Sequence, residues 1–198
     1  MSRVRSVSTA LLAALAMTLA GCIGQTPVTP NPSPSPTFRC TPEAGGSEAP
    51  CSEQQYQEMK AKDALYAEAE QVYRTYTSKL IETMRNGGAD TLPSEIKELI
   101  SGPDLAKSVL DRLREVKREG LKLQGPDVRI VWAQRLPTRE KAGSVAAMKF
   151  CGDASGLAAY KDGEKISEGV VSMETVFFAG TPKALTMTSI EYEDVKKC

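Results

Sequence analysis

The chain contains no histidine among its 198 residues. This absence excludes Ser-His-Asp triads, Cys-His pairs, histidine general bases and histidine metal ligands, because all of them need an imidazole. Cysteine thiolates do not replace it, since no two cysteines stand two to four residues apart, as they do in structural zinc sites. We therefore expect neither a metal nor a cofactor.

An excess of either charge is missing as well, since 25 basic residues balance 25 acidic ones. Nothing in this balance draws the protein to nucleic acid, so we expect no nucleic-acid partner. A glycine-rich phosphate loop is also absent, because Gly87-Gly88 follows a predicted helix, whereas such a loop precedes one. The sequence thus gives no sign of nucleotide-dependent chemistry.

The chain also lacks a hydrophobic run long enough to cross a bilayer. Its main apolar segment, Val7–Leu19, is shorter than the roughly 20 residues that a transmembrane helix needs. Arg3 and Arg5 precede this segment and small residues follow it, which is the layout of a secretory signal peptide. We predict that residues 1–21 are this signal.

The predicted signal ends in Leu19-Ala20-Gly21-Cys22, which resembles the bacterial lipobox. The resemblance implies that a diacylglyceryl group is attached to Cys22 and that the chain is cut before it. Two or more acyl chains hold a protein stably at a membrane, so we expect a lipid anchor on the extracytoplasmic face of the cell membrane. An ordinary cleavage site and an uncleaved anchor are the alternatives.

Residues 22–39 carry this anchor and a linker in which proline recurs between Thr, Ser and Asn. Proline fixes φ and lacks a backbone donor, so the linker favours extended polyproline II and builds no core. A docking site for another domain is the alternative interpretation. Residues 40–198 then form a single domain, which is large enough for one hydrophobic core.

Four cysteines remain once Cys22 carries lipid: Cys40, Cys51, Cys151 and Cys198. An even number in an exported chain predicts two disulfide bonds, with three pairings open. We favour Cys40 with Cys51, around a short loop rich in Pro and Gly, and Cys151 with Cys198, from a strand end to the last residue. In the chain-entropy model, closing loops of these lengths contributes about 3 and about 4 kcal/mol of stability.

The first part of the domain has the periodicity of helices. Ser52 and Gln55 form a capping box, and apolar residues then recur every three or four positions until Gly87-Gly88 ends the helix. Two shorter helices are predicted at Pro93–Ser101 and from Pro103 to Gly120. Three helices therefore precede any strong strand signal.

After Gly120 the period changes to the alternation of strands. Strands are predicted at Val128–Ala133, Val145–Cys151, Leu157–Tyr160, Val170–Phe178 and Leu185–Tyr192. Asp162-Gly163 predicts a type I′ hairpin turn and residues 179–183 predict a second hairpin loop, and strands joined by such short loops are antiparallel. Helices followed by an antiparallel meander predict an α+β fold with the helices on one face.

Three features together resemble a group of lipoproteins from high-GC Gram-positive bacteria. They are the segment Cys151-Gly152-Asp153-Ala154-Ser155, the Asp162-Gly163 hairpin and the terminal Cys198. Proteins of this group have a nuclear transport factor 2-like domain, which is a cone. The resemblance implies a long N-terminal helix and two shorter helices packed on a curved antiparallel sheet. It also implies a disulfide bond between Cys151 and Cys198.

The interior of such a cone is the predicted site. We expect an apolar cavity without catalytic residues, for which Tyr73, Tyr76, Trp132 and Phe177 are the candidates. Tyrosines at these positions also fit the edge of a hydrophobic core. The predicted function is that of a non-catalytic binding module for an envelope protein or a small apolar ligand.

Two other functions are also compatible with the sequence, because a fold alone does not determine function. One is a cell-envelope enzyme that uses a carboxylate base in the cone, with Asp153 as the first candidate, although Asp153 also suits a turn. Asp63 and Glu70 lie seven residues apart on the long helix, where they would share a face, but solvated helix charges explain them better. The other is a structural subunit of an envelope complex.

Overall fold

The structure, a computed structural model, describes residues 37–43, 46–139 and 141–198. The predicted signal peptide, the predicted lipidation site Cys22 and most of the linker lie outside the described residues. The described residues belong to one compact unit. Among them, no helix combines the length and the hydropathy that a membrane span requires.

Three helices and nine strands follow one another in the described residues. The helices are α1 (Glu53–Arg85), α2 (Ser94–Lys97) and α3 (Pro103–Arg118). The strands are β1 (Phe38–Cys40), β2 (Ala49–Cys51), β3 (Lys122–Gln124), β4 (Arg129–Arg135), β5 (Ala146–Asp153), β6 (Ala158–Lys161), β7 (Glu164–Glu168), β8 (Val171–Thr181) and β9 (Ala184–Val195). Every strand pairing is antiparallel, and the predicted α+β class is confirmed.

Helix α1 begins at the predicted capping box. The backbone N–H of Gln55 donates to Ser52 Oγ at 3.2 Å, and the Gln55 side chain accepts from the Ser52 N–H at 2.9 Å. These bonds satisfy two donors that the first helical turn leaves free. The helix ends at Arg85, and Gly87-Gly88 just after it have φ values of 88° and 78°, which only glycine adopts at no steric cost.

Helix α2 is shorter than the predicted helix Pro93–Ser101. The backbone after it pairs with β9 instead, because Met187 N donates to Leu99 O at 2.8 Å and Ser101 N donates to Met187 O at 3.0 Å. The groups that would extend the helix are thus already bonded to the sheet.

A four-stranded sheet in the order β4-β5-β8-β9 forms the central layer. A simple meander would place β6 and β7 between β5 and β8, but β5 pairs with β8 directly. The two intervening strands join β3 in a second sheet of order β3-β6-β7. The turn between β6 and β7 is the predicted one, since Asp162 and Gly163 have φ values of 52° and 87°, as a type I′ turn requires.

Strands β8 and β9 run further than the sequence predicts. Their ladder continues to the pair Thr181 and Ala184, so only Pro182-Lys183 remains of the loop predicted at 179–183. The register shifts between Phe177 and Phe178 in this ladder, and between Ile130 and Trp132 in the β4–β5 ladder. Such bulges bend a strand and increase its twist.

The three helices contribute to a core on one face of the central sheet. Alternate residues of β5 point into it, among them Met148 and Phe150, and the ring of Tyr73 stacks on Phe150 with centroids 3.8 Å apart. The opposite face buries Cys151 and Phe177. Both faces of β5 are therefore covered.

Both favoured disulfide bonds are present. Cys40 is bonded to Cys51 with a Cα–Cα distance of 5.8 Å, and Cys151 is bonded to Cys198 with a Cα–Cα distance of 5.6 Å. The first bond closes the β1–β2 pair, and the second ties residue 198 to the central sheet. The predicted pairing is confirmed.

Candidate functional site

A cavity of about 540 Å³ lies between α1, α3 and the two sheets. Its walls are mostly aliphatic, with Leu80 and Met84 from α1, Leu105 and Val109 from α3, and Leu157 just before β6. Each of these helices presents one apolar stripe to the sheet, and the stripes do not fill the space between them. The cavity is what remains open in the core.

Glu174 faces this cavity from the middle of β8. It pairs in register with Phe150 on β5 and with Tyr192 on β9, and it shares the core face with Phe150 because side chains alternate along a strand. Ser172, two residues earlier on the same face, directs its Oγ to Glu174 Oε1 at 3.4 Å. A carboxyl group thus stands at the wall of an otherwise apolar space.

Burial raises the pKa of the Glu174 carboxyl, although hydrogen bonds from Tyr73 and Ser172 and the charge of Arg112 act in the opposite direction. The pKa values of Tyr73 and Tyr76 are raised as well, first by burial and then by the charge of Glu174. Both phenols therefore keep their protons at neutral pH. The immediate neighbours of the carboxylate are neutral hydroxyl groups.

Arg112 is a cation whose charge acts on this group, and it lines the cavity from α3. One turn earlier on the same helix, Lys107 pairs with Asp111 at 2.5 Å. Arg112 itself is exposed and takes part in no ion pair within the part of the chain that the structure describes. The rim of the cavity therefore carries a guanidinium whose charge is not neutralised by contact.

The four aromatic residues predicted for the cavity lie in different places. Tyr76 lines it, and Tyr73 lies behind it, 1% exposed against Phe150. The bulge after Ile130 shifts the register of β4, so Trp132 pairs with Cys151 and turns to the face away from the helices. Phe177 shares that other face, where Arg139 and Lys141 lie over its ring.

The carboxylates weighed as bases do not line the cavity. Asp153 accepts from Ser155 N at 3.1 Å and from Ser155 Oγ at 2.6 Å, and from Arg129 at 2.9 Å. These bonds hold the pKa of Asp153 below its usual value, with those from Ser155 as the main cause. Asp63 pairs with Arg135 at 2.7 Å and Glu70 with Arg74 at 2.7 Å.

The sequence interpretation missed the polar residues of the cavity, which are Ser172, Glu174 and Arg112. A signal for two of them exists in the predicted strand Val170–Phe178, where the alternate positions hold Ser172, Glu174, Val176 and Phe178. Ser172 and Glu174 thus lie on the same face of the strand as Val176 and Phe178, which are typical of a core face. This alternation places the Glu174 carboxylate on the core face of the sheet once the helices are known to cover that face.

A larger groove of about 940 Å³ lies between the β1–β2 pair and α1. Four of its charged residues form two ion pairs, since Lys62 pairs with Glu43 at 2.6 Å and Arg135 with Asp63 at 2.7 Å. Within residues 37–43, 46–139 and 141–198, no group of three cysteine or acidic side chains is arranged to hold a metal ion. The cavity around Glu174 is therefore the candidate site.

No family model matches the chain, and no curated protein matches it. Among solved structures, the chain is similar to the solution NMR structure of a de novo β-sheet design protein from the Northeast Structural Genomics Consortium. The two are 14% identical, and the match covers 68% of this chain and 91% of that one with a TM-score of 0.34.

Proposed function

We propose that this protein is a lipid-anchored lipoprotein on the extracytoplasmic face of the cell membrane, and that its domain binds a small, mainly apolar ligand. The observation that carries the binding function is the cavity of about 540 Å³ with aliphatic walls and one polar group of side chains. Ligand sites are commonly about 300–1,000 Å³ and combine apolar walls with a few polar groups that orient the ligand.

The proposed fold of this domain is a nuclear transport factor 2-like cone. The motif around Cys151 and the bond from Cys151 to Cys198 support it, and so do the bulges at Trp132 and Phe178, because bulges bend a sheet. A bent sheet with α1 packed on one face leaves room for a cavity between them. The fold and the binding function thus rest on partly independent observations.

The proposed anchor is tested at Cys22. Metabolic labelling with a fatty-acid analogue is expected to tag the wild-type chain in its bacterial host and to leave Cys22→Ala untagged. Equal labelling of both chains would remove the anchor from this proposal and leave the cavity in it.

The proposed binding is tested with an aliphatic photoactivatable diazirine probe on the full chain in lipid nanodiscs. Crosslinking is expected to saturate and to map to peptides that hold Leu80 or Leu157. Leu80→Trp fills the cavity and should abolish this labelling. Ile166→Trp is the matched control, because Ile166 is 53% exposed on β7 and does not line the cavity. Labelling that both variants leave unchanged would contradict the proposal.

Glu174 supports a second candidate function, that of an enzyme. A half-buried carboxylate with a raised pKa, in an apolar cavity and beside a tyrosine hydroxyl, is suited to accept a proton from a bound substrate. Turnover of an envelope-derived substrate that Glu174→Gln abolishes, with thermal stability maintained, would favour this enzyme over the binding protein.

A further inference from the structure

We propose that the ligand of this cavity carries a hydrogen-bond-donating head group, a protonated amine above all, which binds the carboxylate of Glu174 while the apolar body lies against Leu80 and Leu157. This inference rests on the proposed function of the cavity and adds the chemical class of what the cavity takes.

The first support is the free energy that is needed to remove the Glu174 carboxylate from water. Removing an ionised carboxylate from water costs several kcal/mol unless a positive charge and hydrogen bonds compensate for it. Glu174 accepts hydrogen bonds from Tyr73 and Ser172, which are both neutral. Among the described residues no lysine or arginine forms an ion pair with it. The charge of Arg112 acts on Glu174 without an ion pair between them, and a cationic ligand would supply a positive charge in direct contact.

The second support is the acceptor capacity that remains. An ionised carboxylate offers about four acceptor positions, and within the described part of the chain two hydroxyl groups, those of Tyr73 and Ser172, donate to this one. The contact from Ser172 Oγ is long, at 3.4 Å, so it is a weak bond. Positions are therefore left for donors that enter from the cavity.

Arg112 supports a competing ligand, an amphiphile with an anionic head at the rim. Arg112 is exposed, however, and a charge pair at an exposed position is screened by water and salt. The electrostatic attraction to Glu174 acts in a drier place, where the same charge separation gives a larger energy. A donor head at Glu174 is therefore favoured over an anion at Arg112.

Three probes with the same diazirine-bearing aliphatic chain and different heads, a primary amine, an alcohol and a carboxylate, test this inference. Each is titrated against the full chain in lipid nanodiscs, and crosslinking to the cavity peptides is measured by mass spectrometry. The amine is expected to half-saturate at the lowest concentration and the carboxylate at the highest. A hydrogen bond to a charged group contributes about 1.5–3 kcal/mol, so the half-saturation concentrations of the amine and carboxylate probes should differ at least about tenfold.

Two substitutions of Glu174 and one control locate the head group. Glu174→Gln should weaken binding of the amine probe at least about tenfold. It should change binding of the alcohol probe about threefold or less, because the amide still accepts one hydrogen bond. Glu193→Gln is the control, since Glu193 is exposed and occupies the next position along β9 after Tyr192. Glu174→Asp keeps the charge and should retain part of the preference, which separates loss of charge from loss of fold.

The remaining outcomes overturn the inference in distinguishable ways. Tightest binding of the carboxylate probe, lost in Arg112→Gln, would assign the site to an anionic amphiphile. Equal half-saturation for all three heads would mean that only the apolar body is recognised, with the proposed function intact. Absence of cavity labelling by every probe would overturn the proposed function itself.

Discussion

Trp132 lies directly across from Cys151 in the β4–β5 ladder, and Cys151 is bonded to Cys198. Residues directly opposite one another in an antiparallel pair have Cβ atoms about 4.5–5.5 Å apart. The single tryptophan of the chain therefore stands beside a disulfide bond, and disulfides quench indole fluorescence at short range. The emission of Trp132 reports on the state of this bond.

Loss of the Cys151–Cys198 disulfide is expected to increase the tryptophan fluorescence of the protein. In Cys198→Ser the quenching disulfide is absent, so the emission intensity of Trp132 should rise at unchanged protein concentration. The measurement is steady-state fluorescence under native conditions, with circular dichroism to verify folding. The double variant Cys40→Ser/Cys51→Ser should leave the emission as it is, and an unchanged intensity in a folded Cys198→Ser protein would refute the juxtaposition.

The two disulfides are expected to contribute unequally to stability. Their half-cystines are 47 and 11 residues apart, and chain entropy assigns the longer loop a larger effect on the unfolded state by about 1 kcal/mol. Denaturant titrations of Cys151→Ala/Cys198→Ala and of Cys40→Ala/Cys51→Ala should differ by that amount. A larger loss from the short β1–β2 loop would show that native packing outweighs chain entropy.

Glu174→Gln is expected to stabilise the domain at neutral pH. Burial raises the folded-state pKa of Glu174, so the folded state holds its proton more tightly than the unfolded chain and loses stability as pH rises through that pKa. The groups that face this carboxyl are Tyr73, Tyr76, Arg112, Ser172 and Tyr192. The variant should therefore have a higher free energy of unfolding than wild type at pH 7.

This advantage should shrink as pH falls toward about 4, where the carboxyl is protonated in the unfolded chain too. Thermal unfolding between pH 4 and pH 8 measures it, with Glu193→Gln as the exposed control. A Glu174→Gln protein that is less stable than wild type at pH 7 would mean that the ionised carboxylate is compensated in the native state.

Gly102→Ala is expected to destabilise the domain by about 2 kcal/mol or more, because overpacking at a rigid contact forces the backbone to shift. A Cβ at this position would lie 1.8 Å from the carbonyl oxygen of Thr188, where the start of α3 meets β9. Chemical denaturation measures the loss. Gly87→Asn is the control, since Gly87 has open space around it and Asn tolerates its positive φ. Equal losses would contradict a steric origin.

The elements with a strong period could be predicted from the sequence, whereas among the short ones β6 was predicted and β3 and β7 were missed. The pattern located α1, α3 and the strands of the central sheet because each repeats its apolar period several times. Strand β3 has three residues, and β7, with the sequence Glu-Lys-Ile-Ser-Glu, is exposed throughout. Such strands are held by pairing with β6 and leave no periodic trace.

The site was harder to predict than the fold, because it depends on which face of each strand the helices cover. A single bulge moved Trp132 to the face opposite the one that strict alternation from Ile130 predicts. Glu174 reads as an ordinary charged residue until the register with Phe150 is known. The cysteine pairing was favoured correctly because the short Pro- and Gly-rich loop between Cys40 and Cys51 suits a local bond, although the even count alone left three pairings open.

The direct pairing of β5 with β8 makes residues 154–170 an excursion that leaves the central sheet and returns to the same place. Its two ends meet where Ala154 N donates to Val170 O at 3.0 Å, and it carries Leu157 and Ala158 into the end wall of the cavity. Insertions, deletions or wholesale exchange between these ends would leave the main ladder intact. The end wall of the proposed ligand site can therefore be exchanged as one segment, and a designer can use the same two joints to graft a new one.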